Sequence, residues 1–222
     1  IGHSVLGTQN FATSTQAYNT AIGHNAGAAI TTGISNTLLG GLAGDAITDA
    51  DSNIAIGLNA LTTETLGSRN VAVGHDALAT QNFTTATNSN NVGVGYQAGL
   101  AITTGINNTH IGANAGDNGT TGDDNVSIGH LALRTMTGGN RNVAIGRSAM
   151  QLANTTSDTD TYNVAVGALA GLSMTGGNQN TLIGGLSGDA ITTGGGNTII
   201  GYNNDVPANN NNFSIIMGTG VT

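Results

Sequence analysis

Asn53-Ile54-Ala55-Ile56-Gly57-Leu58-Asn59-Ala60 is followed 17 residues later by Asn70-Val71-Ala72-Val73-Gly74-His75-Asp76-Ala77. The shared core is Asn, a β-branched residue, a small residue, another aliphatic residue and Gly. Asn19, Asn36, Asn53, Asn70, Asn91, Asn108, Asn125, Asn142, Asn163, Asn180 and Asn197 each open a copy. Ile1-Gly2 is the tail of an earlier copy, and Ser214 to Gly218 is a later one with Ser in place of Asn. The closing glycines, from Gly2 to Gly218, are spaced 21, 17, 17, 17, and this set of four occurs three times. The chain is therefore three superrepeats of 72 residues (3–74, 75–146 and 147–218), read as one domain over 1–222. A fixed period of this kind marks a repeat architecture.

Each copy holds one strand candidate, because β-branched residues favour extended backbone and glycine then interrupts it. A second short apolar piece follows (Ala60-Leu61, Ala77-Leu78, Ala98-Gly99), then an Ile/Met-Thr turn such as Ile102 to Gly105 or Met136 to Gly138. No stretch keeps a helical period for ten residues. A 17-residue unit cannot bury an apolar face alone, but stacked units can. The expected fold is all-β, a parallel β-solenoid (β-roll) of about 12 rungs with a 17/17/17/21 pattern. At about 4.8 Å per rung, the rod is roughly 58 Å long.

In-register stacking puts each repeat position in a column. The Asn column is expected to form a side-chain amide ladder. The Gly column marks a corner where a side chain would clash or φ is positive. Within each strand the first and third residues after Asn (Val71 and Val73) point one way and the middle one (Ala72) the other. Both sets are mostly apolar, as in sheets covered on both sides. One face is therefore expected inside the rod and the other against another copy, with Ala and Gly allowing close approach. Three parallel copies around an axis satisfy this; a lone rod with a weakly apolar flank is the alternative.

Composition narrows the function. Of 222 residues 36 are Gly, none is Cys or Trp, charged residues make up 7%, and Arg69, Arg134, Arg141 and Arg147 are the only Lys or Arg. A net charge of −8 argues against nucleic-acid binding. No apolar run approaches membrane-helix length. Without Cys there is neither a disulfide framework nor a thiolate metal site. A chain that starts at Ile1 reads as processed, or as part of a longer fibre. Gly218 lies 216 residues after Gly2, so the last rung has the phase of the first. Open solenoid edges of matching phase suit end-to-end filaments.

No catalytic, cofactor or metal site is expected. His3, His24, His75 and His130 each follow a rung glycine and read as a solvated edge, while His110, at a middle strand position, could face a neighbouring chain. Asp45, Asp117 and Asp189 share one superrepeat position and read as turn caps on nearby amides; calcium would need six to eight oxygens. Asp123-Asp124, Asp158 and Asp160 read as solvated loop charges. The insertions of the long rungs are the better functional candidates. Phe11 and Phe83 are equivalent, as are Tyr18 and Tyr162, and these rings either contact a receptor or glycan or pin the loop to the rod. The threonine pairs Thr31-Thr32, Thr103-Thr104, Thr120-Thr121 and Thr192-Thr193 raise an ice-binding face as the alternative function.

Asn70-Val-Ala-Val-Gly-His-Asp-Ala77, Asn142-Val-Ala-Ile-Gly-Arg-Ser-Ala149 and Asn53-Ile-Ala-Ile-Gly-Leu-Asn-Ala60 resemble the head repeats of trimeric autotransporter adhesins of the YadA type. They are also similar to Asn-Thr-Ala-Ile-Gly-x-x-Ala-Leu arrays of phage tail-fibre proteins, which Asn19-Thr-Ala-Ile-Gly23 matches letter for letter. The resemblance spans the whole chain. It implies a trimeric roll outside the cell, on a cell or virion surface, with binding or spacing functions, self-association as the main partnership and no catalysis.

Overall fold

The computed structural model describes residues 1–220. It is all-β without a helix, a parallel β-solenoid of about twelve turns. The strands are Thr20–Ile22, Thr37–Leu39, Ile54–Ile56, Val71–Val73, Val92–Val94, Thr109–Ile111, Val126–Ile128, Val143–Ile145, Val164–Val166, Thr181–Ile183, Thr198–Tyr202 and Ile215–Thr219. They form one 12-stranded sheet in sequence order, with equivalent repeat positions paired: Ala55 lies beside Ala72 and Leu182 beside Ile199. The expected register holds along the sheet.

The asparagine column is a side-chain-to-backbone ladder more than an amide-to-amide one. Each Asn Oδ1 accepts the backbone N–H of the next column residue at 2.8–3.1 Å, unbroken from Asn19 to Ser214. Most Nδ2 groups donate to the carbonyl 14 residues on, as from Asn36 to Ala50 at 2.9 Å and Asn108 to Gly122 at 2.8 Å. Amide-to-amide bonds join only some neighbours, including Asn180 to Asn163 at 3.2 Å. All but half-buried Asn19 are buried, so each amide satisfies backbone groups that water cannot reach.

The rung glycines have φ between 126° and 148°, and a Cβ on Gly184 would stand 2.1 Å from the Gly201 carbonyl oxygen. Both expected reasons for glycine therefore apply. The second apolar piece of each rung is a turn, not a strand. Asn59 and Leu61 flank Ala60 with φ of 56° and 55°, and a further left-handed residue, Ser52 or Arg69 (φ 60° and 65°), precedes each Asn. Such conformations in non-glycine residues persist where surrounding structure over-determines them. Here inter-rung bonds continue around these corners, as from Leu61 N–H to Ala77 O at 3.0 Å and Thr48 N–H to Thr65 O at 3.0 Å.

The structure decides which strand face is interior. Middle residues Ala55, Ala72, Ala144, Leu182 and Ile199 are fully buried, while the flanking Ile, Val and Thr face outward. Small residues thus line the rod's own core, and close approach of copies through Ala and Gly is corrected: the outer face is β-branched. Core volume is balanced between positions. Leu38 and Leu182 each lie against two glycines; a Cβ on Gly27 or Gly188 would sit 2.7 Å from the respective leucine's methyls. Rungs with Ala55, Ala72 or Ala144 instead carry buried Leu61, Leu78 or Met150. This keeps packing dense in a core only one side chain thick.

Candidate functional site

The outward strand face is the most regular surface. Its two columns run Thr20, Thr37, Ile54, Val71 and onward, and Ile22, Leu39, Ile56, Val73 and onward, with no charged residue on any rung. Ile22, Leu39 and Ile183 are 44%, 45% and 39% exposed, values high for aliphatic side chains in so ordered an array.

The long rungs carry the loops. Two of them add a short strand pair: Gly67–Ser68 with Thr87–Asn88, and Gly139–Asn140 with Thr159–Asp160. Their aromatic rings divide. Phe83 is buried, so its assignment as a receptor contact is corrected; it pins its loop to the rod. Phe11 is half-buried, whereas Tyr18 and Tyr162 are exposed. Tyr18 donates its hydroxyl hydrogen to Gln16 Oε1. Tyr162 lies under the Arg141 guanidinium, 5.6 Å from ring centre to Cζ, and Arg141 also pairs with Asp160. The Tyr162 hydroxyl and the Asp160 charge together raise the Arg141 pKa.

Phe83 is held by a residue that sequence reading passed over. Glu64 is fully buried, and its Oε1 accepts the N–H groups of Thr65, Leu66, Gly67 and Phe83 at 2.7–3.1 Å. Oε2 accepts Gln81 Nε2 at 2.7 Å, and Gln81 Oε1 in turn accepts Asn91 Nδ2 at 2.9 Å. A carboxylate can stay buried when this many donors replace water. The signal was present: Glu64 and Gln81 follow Ile30 and Ile47 at the 17-residue period, in an interior column.

The histidines also divide. His3, His24, His75 and His130 are exposed; His3 and His24 stack at 5.5 Å, and His75 lies 5.7 Å from Tyr96. His110 faces the interior of its own rod, which corrects its placement toward a neighbour. Its Nδ1 lies 2.7 Å from Ser127 Oγ, and burial lowers its pKa from 6.5 to about 4.

Two of the three aspartates at the shared superrepeat position, Asp45 and Asp117, reach across rungs instead of capping their own turns. Asp45 accepts Thr62 Oγ1 at 2.6 Å, and Asp117 accepts Arg134 Nε at 3.3 Å. Asp117 Oδ1 is buried with no hydrogen-bond partner among the described residues, and burial raises this carboxyl's pKa against the pull of Arg134. Asp123 is half-buried, accepts the Ile106 N–H at 2.7 Å and is likewise raised by burial, so it is no simple solvated charge. The threonine hydroxyls serve the solenoid: those of Thr103 and Thr120 each donate to a carbonyl 17 residues on at 3.0 Å, and Thr31 and Thr32 both donate to Asp49 Oδ1. Among the described residues, no group of three or more His, Asp or Glu is placed to hold a metal ion. No protein-family model, curated protein or solved structure matches the chain.

Proposed function

We propose that this chain is a module of a structural fibre or adhesin on a cell or virion surface, a stiff rod that assembles with copies of itself. The observation that carries this reading is the uncharged, outward strand face. Its two columns span the twelve strands of the sheet. Together they run the length of the sheet with Ile, Val, Leu, Met and Thr side chains alone. Extended, largely apolar surface of this kind marks interaction sites. The occupant is a second copy, because an identical face repeats at the same rung spacing and brings no like charges into opposition. The resemblance to trimeric adhesin head repeats points the same way and favours three copies. Tyr18 and Tyr162, exposed beside the long-rung loops, are the positions offered to a glycan or protein receptor.

Sedimentation and negative-stain microscopy of the purified chain test this reading. The expected result is a trimer or end-to-end filament that Val73→Asp or Ile145→Asp returns to folded single rods, with Asp160→Ala unchanged. A wild-type chain that stays monomeric at high concentration refutes it. The ice-binding reading would need free threonine hydroxyls in register; several of the paired threonines spend theirs on bonds to the neighbouring rung, and thermal hysteresis measures the difference directly.

A further inference from the structure

The three superrepeats are not equivalent inside. At one interior position they carry Leu38, His110 and Leu182; at a second, Ile47, Gly119 and Ile191; at a third, Ala55, Ser127 and Ile199. The first and third superrepeats are therefore aliphatic where the second is polar and short of volume. Leu38, Ile47, Leu182 and Ile191 are at most 1% exposed. Beside His110 the missing side chain of Gly119 leaves a cavity of about 10 Å³, walled by Ile102, Leu133 and Met136.

His110 is 3% exposed, and among the described residues its hydrogen-bond partner is Ser127 Oγ alone. The strand below contributes Gly93, the strand above Ser127, and the surrounding corners Asn108, Asn125, glycines and aliphatic side chains. Among the described residues no carboxylate lines the cavity. The nearest in sequence, Asp117, follows Gly116 and is engaged by Arg134 and Asn114. An imidazolium here has no counter-ion, and a cavity of this size admits about one water, too few to solvate it.

We propose that the second superrepeat is an acid-sensitive joint of the rod, in which protonation of His110 opens the rungs of Thr109–Ile111 and Val126–Ile128 while their counterparts in the first and third superrepeats stay closed. The closed state binds the proton with a pKa of about 4 and the open state near the ordinary 6.5, so opening grows as pH falls from 6.5 to about 4 and then levels. That interval corresponds to on the order of a hundredfold increase in the open population. The opposite sign separates this from the raised carboxyls of Asp117 and Asp123, whose protonation favours the closed state.

Hydrogen exchange of the intact chain by mass spectrometry, expressed as protection factors at pH 7 and pH 4, tests the joint. Protection around Thr109–Ile111 is expected to fall by tenfold or more relative to Thr37–Leu39 and Thr181–Ile183. In His110→Leu, which restores the residue of the other two superrepeats, that difference should vanish. An equal acid response in all three superrepeats of the wild-type chain overturns the proposal without any variant. A response that survives in His110→Leu also overturns it.

Discussion

Asn163 and Asn180 stand one rung apart, and the side-chain oxygen of the first accepts the backbone N–H of the second at 3.0 Å. The same Asn163 donates from Nδ2 to the Gly177 carbonyl at 2.9 Å, where the chain returns toward Asn180. One side chain thus satisfies two backbone groups of the next coil. Asn163→Ala leaves both buried groups unpaired and should cost about 2–4 kcal/mol in urea unfolding. Exposed Asn154→Ala, on a loop, should change stability by less than about 0.5 kcal/mol.

Gly184 meets the backbone of the next rung with no room for a methyl, at a φ of 126°. Gly184→Ala should abolish cooperative folding, or leave a chain that melts far below the parent by circular dichroism. Gly176→Ala is the matched control. A Cβ there meets nothing closer than 3.8 Å and its φ is not positive, so the melting temperature should hold or rise slightly.

Phe83 and Tyr18 give opposite expectations for rings in long-rung loops. Phe83→Ala empties a buried site and should destabilise by about 3 kcal/mol or more. Tyr18 is 71% exposed, so Tyr18→Ala should leave unfolding unchanged and reduce binding on a glycan or receptor screen. Equal stability losses in the two variants would remove Tyr18 from the receptor-contact assignment.

Burial raises the Asp117 pKa above its ordinary 3.8, so the folded state takes up a proton before the unfolded state does. Its contribution to stability therefore improves as pH falls from neutral through the raised folded pKa to about 3.8, and is constant below that. Asp117→Asn removes this titration. The melting temperature of the parent minus that of the variant should rise between pH 7 and pH 4. A flat or falling difference would show that Arg134 dominates the site.

The period made the fold legible before any coordinates. Twelve glycine intervals force in-register stacking, and stacking alone aligns the Asn and Gly columns. The candidate surfaces were only partly legible. Phe11 and Phe83 are equivalent by period, yet Phe83 is buried and Phe11 half-buried. The amide of Phe83 is held by Glu64, 19 residues earlier. Where Phe83 settles thus depends on a contact between two rungs that the repeat does not share.

The sequence by itself determined the rung length, the register and the need for glycine at each corner, because these follow from repetition and backbone sterics. Only the tertiary structure decided which strand face is interior. Both alternating positions are apolar, so a two-residue period carries no inside or outside. The left-handed turns flanking residues such as Ala60 break the second apolar piece, and the coil closes over the middle residues of the strands. The same closure turned His110 from a suspected contact between chains into a buried group of its own rod.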